Sequence, residues 1–371
     1  MSLLKYIIWN IIGTCFRGIP IPGKTGLIKI GKPGRSSPVF LTGNFILTIE
    51  RVKKALKGLD CYLLVANSKG INVWCGAAGG HFANHSVISV LKTSGIEALV
   101  DHKRVILPQL AATGVEAKII REKTGWDVIW GPVYAKDIPT FVENKCTKTP
   151  DMRNVRFPLI QRIEMAVMWA FPLSIIVAFL TILIWKKMFV PLVILIWVIP
   201  ILIFASFPLY IKWLNSRKRG MSFSKYAAFF DFGRVPLILW VIFLLCLLVY
   251  GSLLDTLTWG FFLRWGFVSF VIIVLISIDV MGSTPVYKSG IHEDRFLEIS
   301  IDEKKCKGEG ICEQVCPKNC YHINRNRHIA TIPEASRCVQ CGACIVQCPC
   351  DALYFKSLHG TKTVLSCFVK F

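Results

Sequence analysis

The chain has 371 residues, enough for two or three modules. A hydrophobic fraction of 53% and a mean hydropathy of +0.52 exclude an all-soluble protein, so part of it lies in lipid. Lys and Arg number 44 against 23 Asp and Glu, a formal +21. The basic residues flank apolar spans instead of joining aromatics on a soluble fold, which points to membrane lipid as a partner and away from nucleic acid. Leu3 to Phe16 is apolar, interrupted by Asn10 and Gly13, and too short to span a bilayer, so an interfacial helix is expected there. Gly18 to Gly34, rich in glycine, proline and lysine, reads as an irregular entry segment from which no function follows, and residues 1–37 together form an interfacial and irregular lead-in.

Residues 38–158 alternate strand-like and helix-like runs: Val39 to Leu41, helix Thr48 to Lys57, Leu63 to Val65, helix Ser86 to Leu91, Ala98 to Val100, helix Val115 to Lys123, Val128 to Trp130, and a short helix near Phe141. This predicts a Rossmann-like α/β domain with a mostly parallel sheet. No Gly-x-Gly-x-x-Gly opens a helix after the first strand, so the fold points to a nucleotide-like or macrocyclic ligand without naming it. Cys75 falls in a strand-to-helix connection after Cys61 to Ala66, at the ligand-binding edge of such a sheet. The small residues Gly76, Ala77, Ala78 and Gly79 allow a large planar ligand to approach the backbone, and a helix starting there favours a thiolate able to bind metal. The alternative is that Cys75 is a small buried hydrophobe. His102 is read as a structural histidine.

Four apolar segments follow within residues 159–281: Met165 to Trp185, Phe189 to Ile211, Val235 to Leu254 and Leu257 to Ile278. Each is long enough to cross a hydrocarbon core of about 30 Å. The basic residues Lys212, Arg217, Lys218, Arg219, Lys225 and Arg234 lie between the second and third and are expected to stay cytoplasmic. An even number of spans then returns the chain, so both soluble regions share the cytoplasmic side of the inner membrane. Charges at Asp255, Arg264 and Asp279 sit near span ends, which favours anchoring over a transport path.

Nine of the 15 cysteines lie between Cys306 and Cys350, a metal-binding pattern in a reduced compartment and not a disulfide scaffold. Cys338, Cys341, Cys344 and Cys348, followed by Pro349, have the spacing of a bacterial two-cluster ferredoxin, so residues 282–371 are predicted to form a ferredoxin-like α+β domain with two iron–sulfur clusters. In such a fold the last cysteine of each run crosses to the other cluster, giving Cys338, Cys341, Cys344 and Cys316 one four-iron cluster. The earlier run carries Glu309 at its second position, leaving Cys306, Cys312 and Cys348 one thiolate short. That cluster is either a three-iron one or a four-iron one completed by Glu309, Cys320 or an external ligand. Cys320, Cys350 and Cys367 belong to neither run.

Lys69-Gly70-Ile71-Asn72-Val73-Trp74-Cys75, the stretches from His102 to Leu110, Gly131 to Val133 and Thr149 to Arg153, and Gly282 to Ser289 together resemble the membrane corrinoid protein of microbial mercury methylation. The tail resembles that system's partner ferredoxin, fused here. More distantly, the soluble part is similar to the corrinoid domain of the corrinoid iron–sulfur protein of acetyl-CoA synthesis. The resemblance implies a cobalamin-type corrinoid with Cys75 as the lower cobalt ligand, and Asn72, Val73, Trp74 and Gly76 beside it. It further implies a methyl-transfer enzyme served by a methyl-donor protein or methylated pterin and by a low-potential electron donor, with Hg(II) as acceptor. No Asp-x-His-x-x-Gly motif of histidine-ligating corrinoid proteins occurs. The sequence departs from the mercury family in lacking a lysine after the small residues, and only Cys367 stands where the partner ferredoxin has a C-terminal cysteine pair. Both departures bear on the acceptor more than on the cofactor. The alternative function is a membrane electron-transfer ferredoxin without corrinoid chemistry, which predicts iron and sulfide but no cobalt.

Overall fold

A computed structural model describes residues 3–210, 227–282, 297–356 and 362–363. The chain divides into two compact units: residues 1–13, 19–155 and 297–371 form one, and residues 14–18 and 156–296 the other.

The first unit begins with helix α1 (Leu3–Cys15) and strand β1 (Gly26–Ile30). Strands β2 (Val39–Gly43), β3 (Cys61–Ala66), β4 (Arg104–Leu107) and β5 (Asp127–Trp130) alternate with helices α2 (Ile46–Ala55), α3 (Val73–Ala78), α4 (Asn84–Thr93), α5 (Ala117–Thr124), α6 (Ile138–Glu143) and α7 (Pro150–Arg153). The sheet order is β1-β3-β2-β4-β5, with every pair parallel except the β1–β3 edge. Both β2 and β3 are buried along their whole length because both sheet faces are covered. Val39, Leu41, Leu64 and Leu107 pack with Val87, Leu91 and Ile120 on one face, while Phe40, Leu63 and Ile106 pack with Ile49, Val52 and Phe141 on the other. The chain winds outward from β2 to β3, then returns to β4 and β5. The strand order therefore reverses between β2 and β4, and the carboxyl ends at that point are where open α/β sheets place ligands.

Two strands differ from the sequence reading. β1 lies inside the stretch expected to be irregular, pairing Leu27 and Ile28 with Leu64 and Leu63. Ala98 to Val100 is not a strand: left-handed Gly95 (φ 71) leads into a 3-10 turn over Ile96–Ala98, and the strand is the buried Val105-Ile106-Leu107 run. A three-residue apolar run is too short for periodicity to separate strand from turn. His102 is structural, its Nε2 3.0 Å from the Ser37 carbonyl and its Nδ1 accepting from the Arg104 N–H at 3.2 Å.

In the second unit, α8 (Leu159–Ile184), α9 (Phe189–Ala205), α10 (Phe207–Tyr210), α11 (Ala227–Leu253) and α12 (Trp259–Gly282) supply four helices long and apolar enough to cross a membrane. Ala166 and Ala170 let Ile199, Ile203 and Phe204 approach closely, and the Trp240 indole donates to the Gly266 carbonyl at 2.8 Å. Arg17 pairs with Glu164 at 2.8 Å. Of the basic loop, Lys212, Arg217, Lys218, Arg219 and Lys225 lie outside the described residues, as do Ser283 to Ser289 and Cys367.

The first unit resumes with β6 (Glu298–Ile301), α13 (Ile311–Val315), the hairpin β7 (His322–Asn324) and β8 (Ile329–Thr331), α14 (Ala343–Val346), β9 (Leu353–Lys356) and β10 (Lys362–Thr363). β9 pairs antiparallel with β6 and β10. The cysteine-rich region repeats its own backbone: the left-handed residues Gly308, Gly310 and Asn319 of the first half recur at one offset as Gln340, Gly342 and Asp351 in the second. Its core is continuous with one face of the sheet, since Val315, Cys316 and Ala343 join the cluster that holds Ala111, Ala112 and Val115.

Candidate functional site

Cys75 lies on the carboxyl side of the sheet, in α3, a six-residue helix inserted between β3 and α4 that the strand-to-helix reading did not contain. Asn72 caps α3, its Oδ1 accepting from the Cys75 N–H at 3.0 Å. That N–H is thus occupied, so the thiol is set by the helix's position and not by a free amide at its start. Cys75 is exposed, Asn72 and Trp74 are half-buried, and Val73 and Gly76 are buried. A Cβ on Gly76 would sit 3.3 Å from Phe82, so this glycine packs α3 inward. Beside Cys75, Ala78 and Gly79 are exposed, and an added Cβ on Gly80 would meet no atom within 4 Å. An exposed thiol beside the small residues Ala78, Gly79 and Gly80 suits a flat macrocycle whose metal takes a sulfur ligand.

The loop before α3 is fixed by a buried polar knot. Asn44 Oδ1 accepts from the backbone N–H groups of Ser68 (2.8 Å) and Gly70 (2.9 Å), and Ser68 Oγ donates to the Ile71 carbonyl at 2.8 Å. Gly70 is left-handed (φ 72), and a Cβ there would collide with the Pro22 backbone at 2.6 Å. Residues of the lead-in segment therefore buttress the Cys75 loop, a role the sequence did not signal because the contact depends on a glycine's missing side chain.

The nine cysteines of the tail separate into two groups. Cys306, Cys312, Cys348, Cys350 and Glu309 line one open cavity. In the other group Cys320 hydrogen-bonds to Cys316 and Cys338 through its thiol, and the Tyr321 hydroxyl donates to Cys344 Sγ at 3.0 Å. Cys320, one of the three completions considered for the cluster of Cys306, Cys312 and Cys348, is thus placed beside the other set: its N–H also meets Cys316 Sγ at 3.3 Å. Its counterpart in the repeat is Ala352, whose N–H meets Cys348 Sγ at 3.3 Å. Burial pushes the Cys312 thiol up to about 12 and raises Cys341 and Cys344 as well. Buried adjacent thiols ionise together only when a cationic centre takes them, and this donor set fits soft iron. Among the described residues no three such side chains converge on a single ion; a cluster instead spreads its thiolates around a larger body. By contrast, burial in the sheet pushes Cys61 up to about 12, which leaves it an inert core thiol.

The two parts of the first unit meet at the turn Gln109–Thr113, which follows β4 at the point of strand reversal. On one side this turn adjoins α3, where a Cβ on Gly114 would lie 2.4 Å from the Ala77 carbonyl oxygen. On the other it meets the tail: buried Gln347 donates to the carbonyls of Ala112 (2.9 Å) and Val115 (2.6 Å) and accepts from the Ala117 N–H at 3.2 Å. Gln109 donates to the Val315 carbonyl at 3.3 Å, and Lys148 Nζ donates to Gln109 Oε1 (2.7 Å) and to the Gln314 carbonyl (2.8 Å). Burial, then the neighbouring Arg153, lowers the Lys148 amine to about 7. Sequence reasoning missed Gln109, Lys148 and Gln347, which are ordinary polar residues scattered along the chain.

These features define a doubly wound α/β domain that offers one exposed thiol at its carboxyl edge and is docked to a duplicated cysteine-rich module. Residues 14–142 match the family described as CO dehydrogenase/acetyl-CoA synthase delta subunit. The acetyl-CoA decarbonylase/synthase complex subunit gamma of Methanopyrus kandleri is 37% identical over 122 residues, 32% of this chain and 26% of that protein. The subunit gamma of Archaeoglobus fulgidus is 36% identical over 126 residues, 33% of this chain and 26% of that protein. That of Methanothermobacter thermautotrophicus is 38% identical over 120 residues, 32% and 26% of the two chains. The chain spans about a quarter of the length of these curated relatives. Of the two resemblances in the sequence, these matches bear out the one to the acetyl-CoA system.

Proposed function

We propose that this chain is a membrane-anchored corrinoid and iron–sulfur methyl-transfer protein, with Cys75 as lower ligand of the corrinoid and a ferredoxin-like tail as its electron source. The observation that carries the reading is the exposed Cys75 thiol on the carboxyl edge, within the region similar to acetyl-CoA decarbonylase/synthase subunits. When bound, the corrinoid supplies a cobalt centre that accepts and releases a methyl group. The chain's own residues do the rest. Asn72 holds α3 in place, Val73 and Gly76 seat it on the core, Trp74 flanks the thiol, and the Asn44–Ser68 knot fixes the loop from which α3 starts. Cys75 would hold the cobalt through its sulfur and supply electron density to it.

In the tail, Cys316, Cys338, Cys341 and Cys344 would hold one iron–sulfur cluster and Cys306, Cys312 and Cys348 a second, and the hydrogen bonds from Gln347 to the segment Ala112–Ala117 support the tail as the electron source of the α/β domain. A methylated pterin or its carrier protein and a low-potential donor are the partners. The Asn-Val-Trp-Cys motif supports the cobalt ligand, and Hg(II) is an electrophile of the kind such chemistry serves, while the missing lysine and the lone Cys367 count against mercury as the natural acceptor. Because the tail hydrogen-bonds directly to the α/β domain, both must share one side of a membrane, which supports four spans with both soluble regions cytoplasmic.

Metal analysis and the absorption spectrum of the anaerobically purified chain test the reading. Cobalt together with iron is expected, and Cys75→Ala should lose the thiolate–cobalt absorption and cut methyl transfer at least roughly a hundredfold. Iron and sulfide without cobalt would establish the electron-transfer alternative.

A further inference from the structure

We infer that Cys350, which belongs to neither cysteine run, is the fourth protein ligand of the cluster whose second position is Glu309. The inference rests on the iron–sulfur reading of the tail. Cys306, Cys312 and Cys348 line one cavity, and Glu309 and Cys350 are the two further lining residues whose side chains carry atoms that ligate iron. Cys320 is removed from contention by its place beside Cys316 and Cys338.

Cys350 suits the fourth position better than Glu309. Cluster iron prefers soft thiolate over hard carboxylate, and Glu309 is exposed, so its carboxylate gives up hydration to ligate. Cys350 is half-buried at the cavity wall. The chain there is folded by left-handed Asp351 (φ 50), whose N–H reaches back to the Cys348 carbonyl at 3.4 Å, so that Cys348 and Cys350 line the same space. Ligation replaces the S–H bond of Cys350 with an iron–sulfur bond and releases one proton to solvent, with no electron transferred.

Electron spin resonance and iron content of the full chain, purified anaerobically, test this with Cys350→Ser, Glu309→Gln and the pair Cys350→Ser with Glu309→Cys. The wild type should hold two four-iron clusters through mild oxidation, and Glu309→Gln should match it. Cys350→Ser should give the oxidised three-iron signal with loss of one iron, and Glu309→Cys in that background should restore the four-iron state. A Cys350→Ser protein that keeps both four-iron clusters, or a wild type that already shows the three-iron signal, overturns the assignment of Cys350 while leaving the cluster reading intact. A wild type without iron and sulfide overturns both.

Discussion

Replacing Gln347 by Ala tests the docking of the cysteine-rich module without altering its thiols. The amide meets three backbone groups, the carbonyls of Ala112 and Val115 and the N–H of Ala117, and the residue is 7% exposed. Truncation removes all three bonds at a site where water enters poorly. Each buried backbone group left unsatisfied costs about 1–3 kcal/mol, so even the low end sums to roughly 3 kcal/mol, about a hundredfold in the docking equilibrium. Hydrogen exchange followed by mass spectrometry on the intact chain reads this directly. Amides in Gln109–Ala117 and Ile311–Cys316 should exchange about a hundredfold faster, while β2 and β3 stay protected. Unchanged protection at Gln109–Ala117, with the fold intact, would mean that the apolar contacts alone hold the module and that the polar bonds are incidental.

Gly114→Ala should displace α3, because the new Cβ would sit 2.4 Å from the Ala77 carbonyl and 2.9 Å from that of Phe82; a loss of about 2–4 kcal/mol is expected by thermal melting, with faster exchange across residues 71–83. Lys148 makes docking pH-dependent. Its folded value of about 7 lies below the ordinary 10.5, so the unfolded chain binds more protons between these values and stability rises with pH across that window; the melting temperature should climb from pH 7 to 9, and Lys148→Met should flatten the slope. Asn72→Ala should cost about 1 kcal/mol and loosen α3 alone, read as faster exchange at Cys75 and Gly76 without change elsewhere. In inverted membrane vesicles, protease should cut both the α/β domain and the tail; protection of one while the other is cut would refute the shared side.

The sequence revealed what repeats or runs. Val39 to Leu41 and Leu63 to Val65 were legible because covering both sheet faces yields unbroken apolar stretches, Val128 to Trp130 because it is a short apolar run, and the four long helices because their apolar runs are long enough to cross a membrane. β4 was obscured by its polar approach through His102, Lys103 and Arg104, and β1 by the glycine and lysine around it. Cys75 was legible as a candidate, yet its cap, its six-residue helix and the Pro22 buttress depend on contacts between distant segments. Spacing sorted the run cysteines but gave no reason to prefer Cys350 over Cys320 near the incomplete set, because that choice is made by the path of the chain after each Cys-Pro pair.

The bonds between tail and sheet domain are lopsided: a side chain on one side usually grips main chain on the other. Gln347 holds Ala112 and Val115, Gln109 holds Val315, Lys148 holds Gln314, and Asn319 holds Pro150. A main-chain partner is the same whatever residue carries it, so the gripped positions are free to vary in identity as long as their size fits. Inserting or deleting one residue in the turn after β4 is a different matter, since it slides the Ala112 and Val115 carbonyls out of reach of Gln347 and moves Gln109 away from Val315. The joint between the two parts is therefore written in chain length more than in residue identity, and a one-residue change between Pro108 and Ala117 should do more damage there than several substitutions.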